Sequence, residues 1–408
     1  MATERVPSAY SVATGVWVGV GARDEPEPLS GVSHFLEHLL LKGTEARSAH
    51  ELAAAVDRVG GDLNAFTAKE YTAYYCRLPA DQAEVGVQLL GDVLTRPALR
   101  AADVENERQV ILEELAMDDD TPEDVVHGLL AEAIFPDHPL GRETAGSAKT
   151  VEDITPADIR GFFEHWYRPA SMVFVASGPI EHEQVLEAVA SAFEGGDGGP
   201  TPERTPPTVP MRDVVVDRRR IEQAQLALGF RGVGRWDPDR EALNVIDHVL
   251  GGGLSSRLFE EIRERRGLAY SVGSATSSYA DVGSLTIYAG TNPAQVGDVL
   301  QLIDAELAKL VVDGVDDDEL EVAVGYLTGA YVMGLEDTGS RMARLGALLT
   351  TTREIRPVAE QLARWRAVTH EDVRRVARRV LDQPRALAVV GPVTEAAVRG
   401  RRSRRRSA

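Results

Sequence analysis

The order of apolar and polar residues predicts a chain that mixes strands and helices. Residues 11–20 alternate valines with small residues, a period of two that is typical of a half-buried strand. Residues 32–42 predict a helix that stops at Gly43, and Ser48 with Glu51 three positions later forms a capping box that opens the next helix. Both kinds of element within one short stretch favour an α+β fold.

The remainder of the chain continues this alternation. Further predicted strands are 63–67, 71–78, 171–177, 212–217, 223–230, 269–278 and 283–290. Further predicted helices are 81–95, 102–118, 122–135, 156–166, 181–193, 238–250, 256–265, 293–311, 316–336, 339–350 and 369–381. The N-terminal segment, residues 1–10, is short and polar, so we expect the strand before the first hairpin to be mostly missing.

Two halves of the chain resemble each other on either side of a segment rich in glycine and proline. That segment, 194–210, predicts an extended linker. Residues 155–160 resemble 369–374, and each stretch leads into a helix, a proline, an apolar strand and a Gly-Pro turn. Duplication explains this economically, although two unrelated helix–strand units would give the same pattern. The expected divisions are domains at 1–193 and 211–398, the linker at 194–210 and a basic, disordered tail at 399–408.

Composition excludes several classes of protein. The 408 residues carry 64 acids against 44 bases, a formal charge of −20, which argues against a nucleic-acid binder. The single cysteine, Cys76, excludes an intrachain disulfide and a cysteine-based zinc site. No run of 18 apolar residues and no signal-peptide core occur, so we expect a cytoplasmic protein that does not enter membranes.

Residues 34–38 read His-Phe-Leu-Glu-His inside a predicted helix. Around the helix axis, His34 and His38 are about 40° apart, and Glu37 lies about 60° to the other side of His34. All three can therefore face one ion, with two imidazoles as zinc ligands and a carboxylate able to deprotonate water. Because such a pattern also arises by chance, a third ligand is needed to support a zinc site.

An acidic helix at 102–118 offers that third ligand. Its buried stripe consists of Val104, Ile111 and Leu115. Glu107 and Glu114 lie at the edge of this stripe, whereas Glu113 points away from it. A carboxylate that faces a core is costly unless it is paired or bound to metal. Glu114 is therefore the better ligand candidate and Glu107 a candidate partner for a histidine; a partly solvated helix edge is the alternative interpretation.

These residues together are an inverted H-x-x-E-H zinc motif, and the whole chain resembles the pitrilysin/insulinase family. Residues 31–38 continue into Lys-Gly-Thr at 42–44, residues 107–114 resemble the distal glutamate helix of that family, and 135–141 is another of its sequence runs. Glu114 follows His38 by 76 residues (114 − 38), the spacing that the resemblance leads one to expect. The likeness is strongest to the small-subunit branch with mitochondrial processing peptidases and bacterial homologues.

The resemblance implies one zinc ion per chain, bound by His34, His38 and Glu114. Glu37 would be the general base that deprotonates the attacking water, and Glu107 would orient a ligand histidine. The implied fold is two homologous α+β domains, each a mixed or antiparallel sheet flanked by helices. The domains would be related by duplication and form half of a clamshell.

The resemblance also implies contacts with a peptide held as an added β-strand. The implied substrate-binding residues are Asn64, Ala65, Phe66, Gly251, Gly252 and Gly253. Arg263 and Tyr270 would steady the oxyanion that develops at the scissile carbonyl. Without the resemblance, Asn64 would be an ordinary strand-end residue and Arg263 a helix-surface charge. The glycine run lacks the Lys-Ser/Thr ending of a phosphate loop, which argues against nucleotide binding.

The sequence thus leads us to expect a zinc metalloendopeptidase that cleaves internal bonds of unfolded peptides inside an enclosed chamber. The resemblance adds that mitochondrial processing peptidase divides the metal motif and the glycine-rich loop between two subunits, so their presence in one chain suggests a self-sufficient homodimer. Two alternatives stay open. The chain could be a non-catalytic peptide-binding subunit, or it could need a related, non-catalytic partner for activity.

Overall fold

Each half of the chain contains one five-stranded sheet. The computed structural model describes residues 1–193 and 198–402; residues 194–197 of the expected linker and 403–408 of the expected tail lie outside the described residues. The first sheet contains β1 (Ala2–Arg5), β2 (Ser11–Val18), β3 (Asp62–Thr67), β4 (Thr72–Pro79) and β5 (Met172–Gly178). The second contains β6 (Val214–Asp217), β7 (Ala224–Gly232), β8 (Ala269–Ser278), β9 (Gly283–Thr291) and β10 (Ala386–Val390).

Helices occupy most of the remaining chain. Those of the first half are α1 (Val32–Leu40), α2 (Ala49–Asp57), α3 (Ala83–Thr95), α4 (Ala101–Asp120), α5 (Pro122–Ile134), α6 (Ala148–Asp153), α7 (Pro156–Trp166) and α8 (His182–Ala192). Those of the second half are α9 (Arg240–Asp247), α10 (Val296–Val312), α11 (Asp317–Gly334), α12 (Thr338–Thr352), α13 (Val358–Arg366), α14 (His370–Leu381) and α15 (Glu395–Arg402). Helix α15 extends into the segment where we expected a disordered tail.

The two sheets share one topology. The first has the strand order β1-β5-β2-β4-β3 and the second the order β6-β10-β7-β9-β8, so each strand has a counterpart at the same place. In each sheet one pair is parallel, β1 with β5 and β6 with β10, and the others are antiparallel. This repetition confirms the predicted α+β fold with two duplicated domains of mixed sheet.

One sequence prediction about the N-terminus was wrong. The strand expected to be mostly missing is present as β1, which pairs in parallel with β5 from Ala2 opposite Val175 onward. Its polar residues conceal it in the sequence, but an edge strand tolerates polar side chains that find partners. Glu4 finds two such partners in Arg341 and Arg344, more than three hundred residues later.

The second glycine-rich region also differs from expectation. The sequence predicted ordinary helices at 238–250 and 256–265, whereas α9 ends at Asp247 and is followed by π-helical turns at His248–Gly252 and Phe259–Glu264. Wider turns of this kind are rare and are often found at functional sites. The glycine run at 251–253 begins within the first of these turns, and glycine disfavours a regular helix because its backbone has more conformational freedom to lose.

Two compact units emerge from the contacts, and they differ from the expected domain ranges. Of the described residues, the first unit comprises 1–116, 142–193, 198–203 and 331–356, and the second comprises 117–141, 204–330 and 357–402. Helix α5 thus packs with the second sheet and helix α12 with the first. The residue ranges expected for the domains stay a prediction. The compact units differ from those ranges because α5, from the first half of the chain, belongs to the second unit, and α12, from the second half, belongs to the first.

Candidate metal centre

Helix α1 carries both histidines of the motif beside its buried face. Phe35, Leu36 and Leu39 are at most 1% exposed and belong to the core of the first unit. His34 and His38 lie outside this buried face, with side chains 18% and 17% exposed. Their ring centroids are 4.7 Å apart, so the two imidazoles are neighbours one helical turn apart.

Glu114 reaches the same place from helix α4. Its Oε2 lies 3.5 Å from Nε2 of His38 and 3.9 Å from Nε2 of His34. One ligand atom from each residue lies within 4.8 Å of the others, and this is the one such group of three found among the described residues. Ligand atoms of a tetrahedral zinc ion lie about 3.3 Å apart, since each bond is about 2.0–2.1 Å. The nitrogen and oxygen atoms present therefore fit zinc in kind and in spacing.

Glu107 lies one layer behind these atoms and is 5% exposed. Nδ1 of His38 donates to Oε2 of Glu107 at 3.1 Å, because a carboxylate only accepts. With the proton on Nδ1, Nε2 of His38 presents its lone pair toward Glu114. The other oxygen of Glu107 pairs with Nζ of Lys42 at 2.8 Å. The sequence predicts a role for Glu107 but not for Lys42, which it places only in the Lys-Gly-Thr run at 42–44.

Glu37 stands next to the ligand group but is not part of it. Its Oε2 accepts a hydrogen bond from the hydroxyl of Thr67, the last residue of β3, at 2.7 Å. Burial raises the pKa of Glu37, and the hydrogen bonds from Thr67 partly offset this rise. Both the side chain and the main chain of Thr67 thus hold this carboxylate in place. The sequence predicts the strand that ends at Thr67 but not this hydrogen bond to Glu37.

The three predicted residues of the edge strand lie on β3. This strand forms the end of the first sheet, so its outer main-chain groups face away from β4. Ala65 is 8% exposed and pairs with Tyr74, whereas Phe66 is 37% exposed. The N–H of Ala65 donates to Oδ1 of Asn64 at 2.8 Å. Strand β3 therefore presents an outer edge, and its last residue, Thr67, binds Glu37.

The remaining predicted residues belong to the second unit. Arg263 places its guanidinium 4.6 Å from the ring centre of Tyr270, and Tyr270 is 77% exposed. A Cβ atom at Gly251 would lie 2.4 Å from the nitrogen of Ser274 in β8, so only glycine fits there. The structure thus brings Arg263 and Tyr270 together and places the glycine run against β8, and their predicted contacts with substrate stay predictions.

Known proteins resemble this chain along almost its whole length. The family model described as insulinase (peptidase family M16) matches residues 1–148, and the one described as peptidase M16 inactive domain matches residues 153–327. An uncharacterized zinc protease of Streptomyces coelicolor is 44% identical over 401 residues, which cover 96% of this chain and 87% of that protein. The chain belongs to the insulinase family of peptidases.

Further proteins resemble this chain in sequence or in fold. An uncharacterized zinc protease of Bacillus subtilis is 36% identical over 391 residues, 95% of each chain. A crystal structure described as a peptidase M16 inactive domain from Pseudomonas fluorescens superposes with a TM-score of 0.88 at 21% identity and covers 96% of this chain and 95% of that one. A protease from Helicobacter pylori gives a TM-score of 0.87 at 22% identity, covering 94% of each chain. The resemblance inferred from the motifs is therefore confirmed.

No helix among the described residues is both long and apolar enough to cross a bilayer.

Proposed function

We propose that this member of the insulinase family is a zinc metalloendopeptidase. The observation that carries the proposal is the convergence of His34, His38 and Glu114 beside Glu37, with one atom of each of the first three within 4.8 Å of the others. Three protein ligands and a fourth position open to water or substrate are typical of catalytic zinc. The relatives named zinc proteases support the same metal for this chain.

The chemistry divides among named side chains. Zinc, when bound, supplies a Lewis acid that polarises the scissile carbonyl and lowers the pKa of water. Glu37 takes a proton from the attacking water and then gives it to the departing amine. Its burial makes it a stronger base than an exposed carboxylate, because the charged form is less well solvated. Glu107 fixes the ring orientation of His38 through Nδ1, and Thr67 holds Glu37 in place.

The proposed substrate is an unfolded peptide that binds as an extra strand on β3. An edge strand offers unpaired N–H and C=O groups that recognise main chain rather than particular side chains. Asn64, Ala65 and Phe66 would form this edge next to Glu37, so an internal bond of the peptide is cleaved. Arg263 and Tyr270 would add an oxyanion contact, and Gly251–Gly253 would contact the peptide from the second unit's loop.

Assembly and location complete the proposal. We infer a cytoplasmic homodimer that encloses its substrate in a chamber, since one chain holds both the metal group and the glycine run. A non-catalytic or partner-dependent subunit is the alternative, and the match of residues 153–327 to a domain described as inactive is the observation that favours it. The complete ligand group at His34, His38 and Glu114 favours an active enzyme.

Metal analysis combined with a peptide assay tests the proposal. The purified protein should contain one zinc ion per chain and cleave a quenched peptide of mixed sequence. A chelator should abolish cleavage and added zinc should restore it, whereas His38→Ala should lose the metal after dialysis. Bound zinc without cleavage by the protein alone would favour the partner-dependent alternative, and absence of zinc would refute the proposal.

A further inference from the structure

Helix α1 begins without a capping side chain from its own N-cap residue. That residue is Gly31, which has a φ of +99° and no side chain to offer. The free N–H groups at the helix start are instead taken by Glu25, six residues earlier. Its Oε2 accepts from the N–H of Gly31 at 2.7 Å and its Oε1 accepts from the N–H of Ser33 at 2.8 Å. Both oxygens of one carboxylate thus hold the residues just before His34.

Glu25 is buried, and two partly buried cations hold the main chain around it. It is 3% exposed, and its main-chain carbonyl accepts from Nη2 of Arg142 at 3.0 Å. The carbonyl of Arg142 accepts in turn from Nζ of Lys69. A carboxylate that is buried this deeply is costly unless its hydrogen bonds are worth the loss of water. An ordinary solvent-exposed serine or aspartate cap would avoid that cost, so the buried arrangement points to a need for fixed geometry.

The segment before Glu25 also binds the turn that follows β3. The N–H of Ala22 donates to the carbonyl of Ala68 at 3.1 Å, and the N–H of Arg23 donates to the carbonyl of Lys69 at 2.7 Å. The side chains of Arg23 and Glu70 form an ion pair at 2.7 Å in which each is 2% exposed. Residues 22–25 therefore link this turn to the start of α1.

This link joins the two elements that meet at Glu37. Helix α1 carries Glu37, and Thr67, which donates to it, stands directly before the turn. A rotation or slide of α1 would move Glu37 away from Thr67 and both histidines away from Glu114. Small displacements of this kind matter, because a misplacement of about 1 Å can reduce a catalytic rate about a hundredfold.

We propose that Glu25 is a positioning residue, which holds the start of α1 so that His34, Glu37 and His38 meet Glu114 and Thr67. The inference rests on the proposed function, since it assigns Glu25 a task in that reaction. It acts only through α1 and makes no contact of its own with the reacting atoms. A purely structural cap would stabilise the chain without affecting metal affinity or turnover.

The test compares Glu25→Gln with the wild type. Glutamine has the same shape but one amide nitrogen, so either the N–H of Gly31 or that of Ser33 must face a donor instead of an acceptor. In metal-free protein, hydrogen exchange of these two amides should become about tenfold faster. Zinc affinity should fall about tenfold, and kcat should fall about 10- to 100-fold with KM unchanged within about twofold.

A matched control separates positioning from stability. Asp239→Asn removes another buried carboxylate, 5% exposed and paired with Arg375 at 2.5 Å and Arg379 at 2.6 Å in the second unit. It should lower the melting temperature while zinc affinity and kcat remain at wild-type values. If Glu25→Gln fails to fold, Glu25→Asp keeps the charge on a shorter side chain and should show the same loss of kcat at unchanged KM.

Two results would overturn the inference. In the first, the amides of Gly31 and Ser33 exchange faster in Glu25→Gln but zinc affinity and kcat do not change, so that Glu25 is a structural cap only. In the second, none of the three quantities changes, or Glu25→Asp has wild-type kcat where Glu25→Gln does not fold. Hydrogen exchange in metal-free protein needs neither zinc nor activity, so a failure of the proposed function itself would be seen separately, in the wild type.

Discussion

Replacement of Glu107 by glutamine offers a sharp test of how the metal group is built. Both oxygens of this carboxylate are used, one by Nδ1 of His38 at 3.1 Å and the other by Nζ of Lys42 at 2.8 Å. Both partners are donors, and glutamine has only one oxygen. Whichever way the amide turns, its nitrogen meets either His38 or Lys42, so one hydrogen bond is replaced by a contact between two donors.

The size of the effect follows from these contacts. Mutation of the carboxylate partner of a metal-binding histidine typically weakens metal affinity about 10- to 100-fold. We therefore expect Glu107→Gln to raise the zinc dissociation constant by this factor, which corresponds to about 1.4–2.7 kcal/mol. A loss in this range is also about that expected for one charged hydrogen bond.

Competition with a chromophoric zinc chelator measures this dissociation constant directly. Glu113→Gln is the matched control, because Glu113 lies on the same helix, next to Glu114, and is exposed. The control should bind zinc as tightly as the wild type. If Glu107→Gln stayed within twofold of the wild type, the argument that Glu107 orients His38 for the metal would be refuted.

Two further predictions concern packing and the single thiol. A Cβ atom at Gly346 in α12 would lie 2.3 Å from the indole ring of Trp17, so Gly346→Ala should lower the free energy of unfolding by about 1–3 kcal/mol. At Gly329 in α11 an added Cβ would meet nothing within 4 Å beyond the local helix backbone, so Gly329→Ala should raise it by up to about 1 kcal/mol. Equal effects of the two substitutions in urea unfolding would contradict the packing of α12. Cys76 is 1% exposed, and burial raises the pKa of its thiol to about 11. Since the raised pKa favours the neutral thiol, about one molecule in a thousand is thiolate at pH 8, and a disulfide reagent should label Cys76 only after denaturation; rapid labelling of native protein would be inconsistent with this burial.

The sequence predicted the local elements of the candidate site well, because its signals are local. The spacing of His34, Glu37 and His38 defines positions around one helix, and the stripe of α4 placed Glu107 and Glu114 on one side. The capping box at Ser48 is also present, with the hydroxyl of Ser48 accepting from the N–H of Glu51. Periodicity and capping are properties of a few neighbouring residues and need no knowledge of the fold.

The partners of those residues could not be predicted in the same way. Glu25 caps a helix from six residues upstream, which does not match the usual rule for an N-cap side chain. Thr67 reaches Glu37 across thirty positions of the chain, and Lys42 binds Glu107 across sixty-five (107 − 42). Such contacts depend on how elements pack, and no periodic pattern records them.

The exchanged helices show the same limit at a larger scale. The apolar stripes of α5 and α12 predict that each helix buries one face, but not which sheet it covers. Val126 and Leu130 of α5 pack with Ala388 in β10 of the second sheet. Met342 of α12 packs with Trp17 in β2 of the first sheet. Position in the sequence therefore suggested a simpler division than the packing has.

The most direct test of the central claim is turnover by Glu37→Gln, measured beside the wild type and Glu113→Gln with the zinc content of each sample determined. Glutamine preserves the shape of Glu37 but cannot take up a proton. We expect one zinc ion per chain in all three proteins, wild-type cleavage of a quenched mixed-sequence peptide by Glu113→Gln, and a loss of about 100- to 10,000-fold in Glu37→Gln. Cleavage at the wild-type rate by zinc-loaded Glu37→Gln would contradict the account.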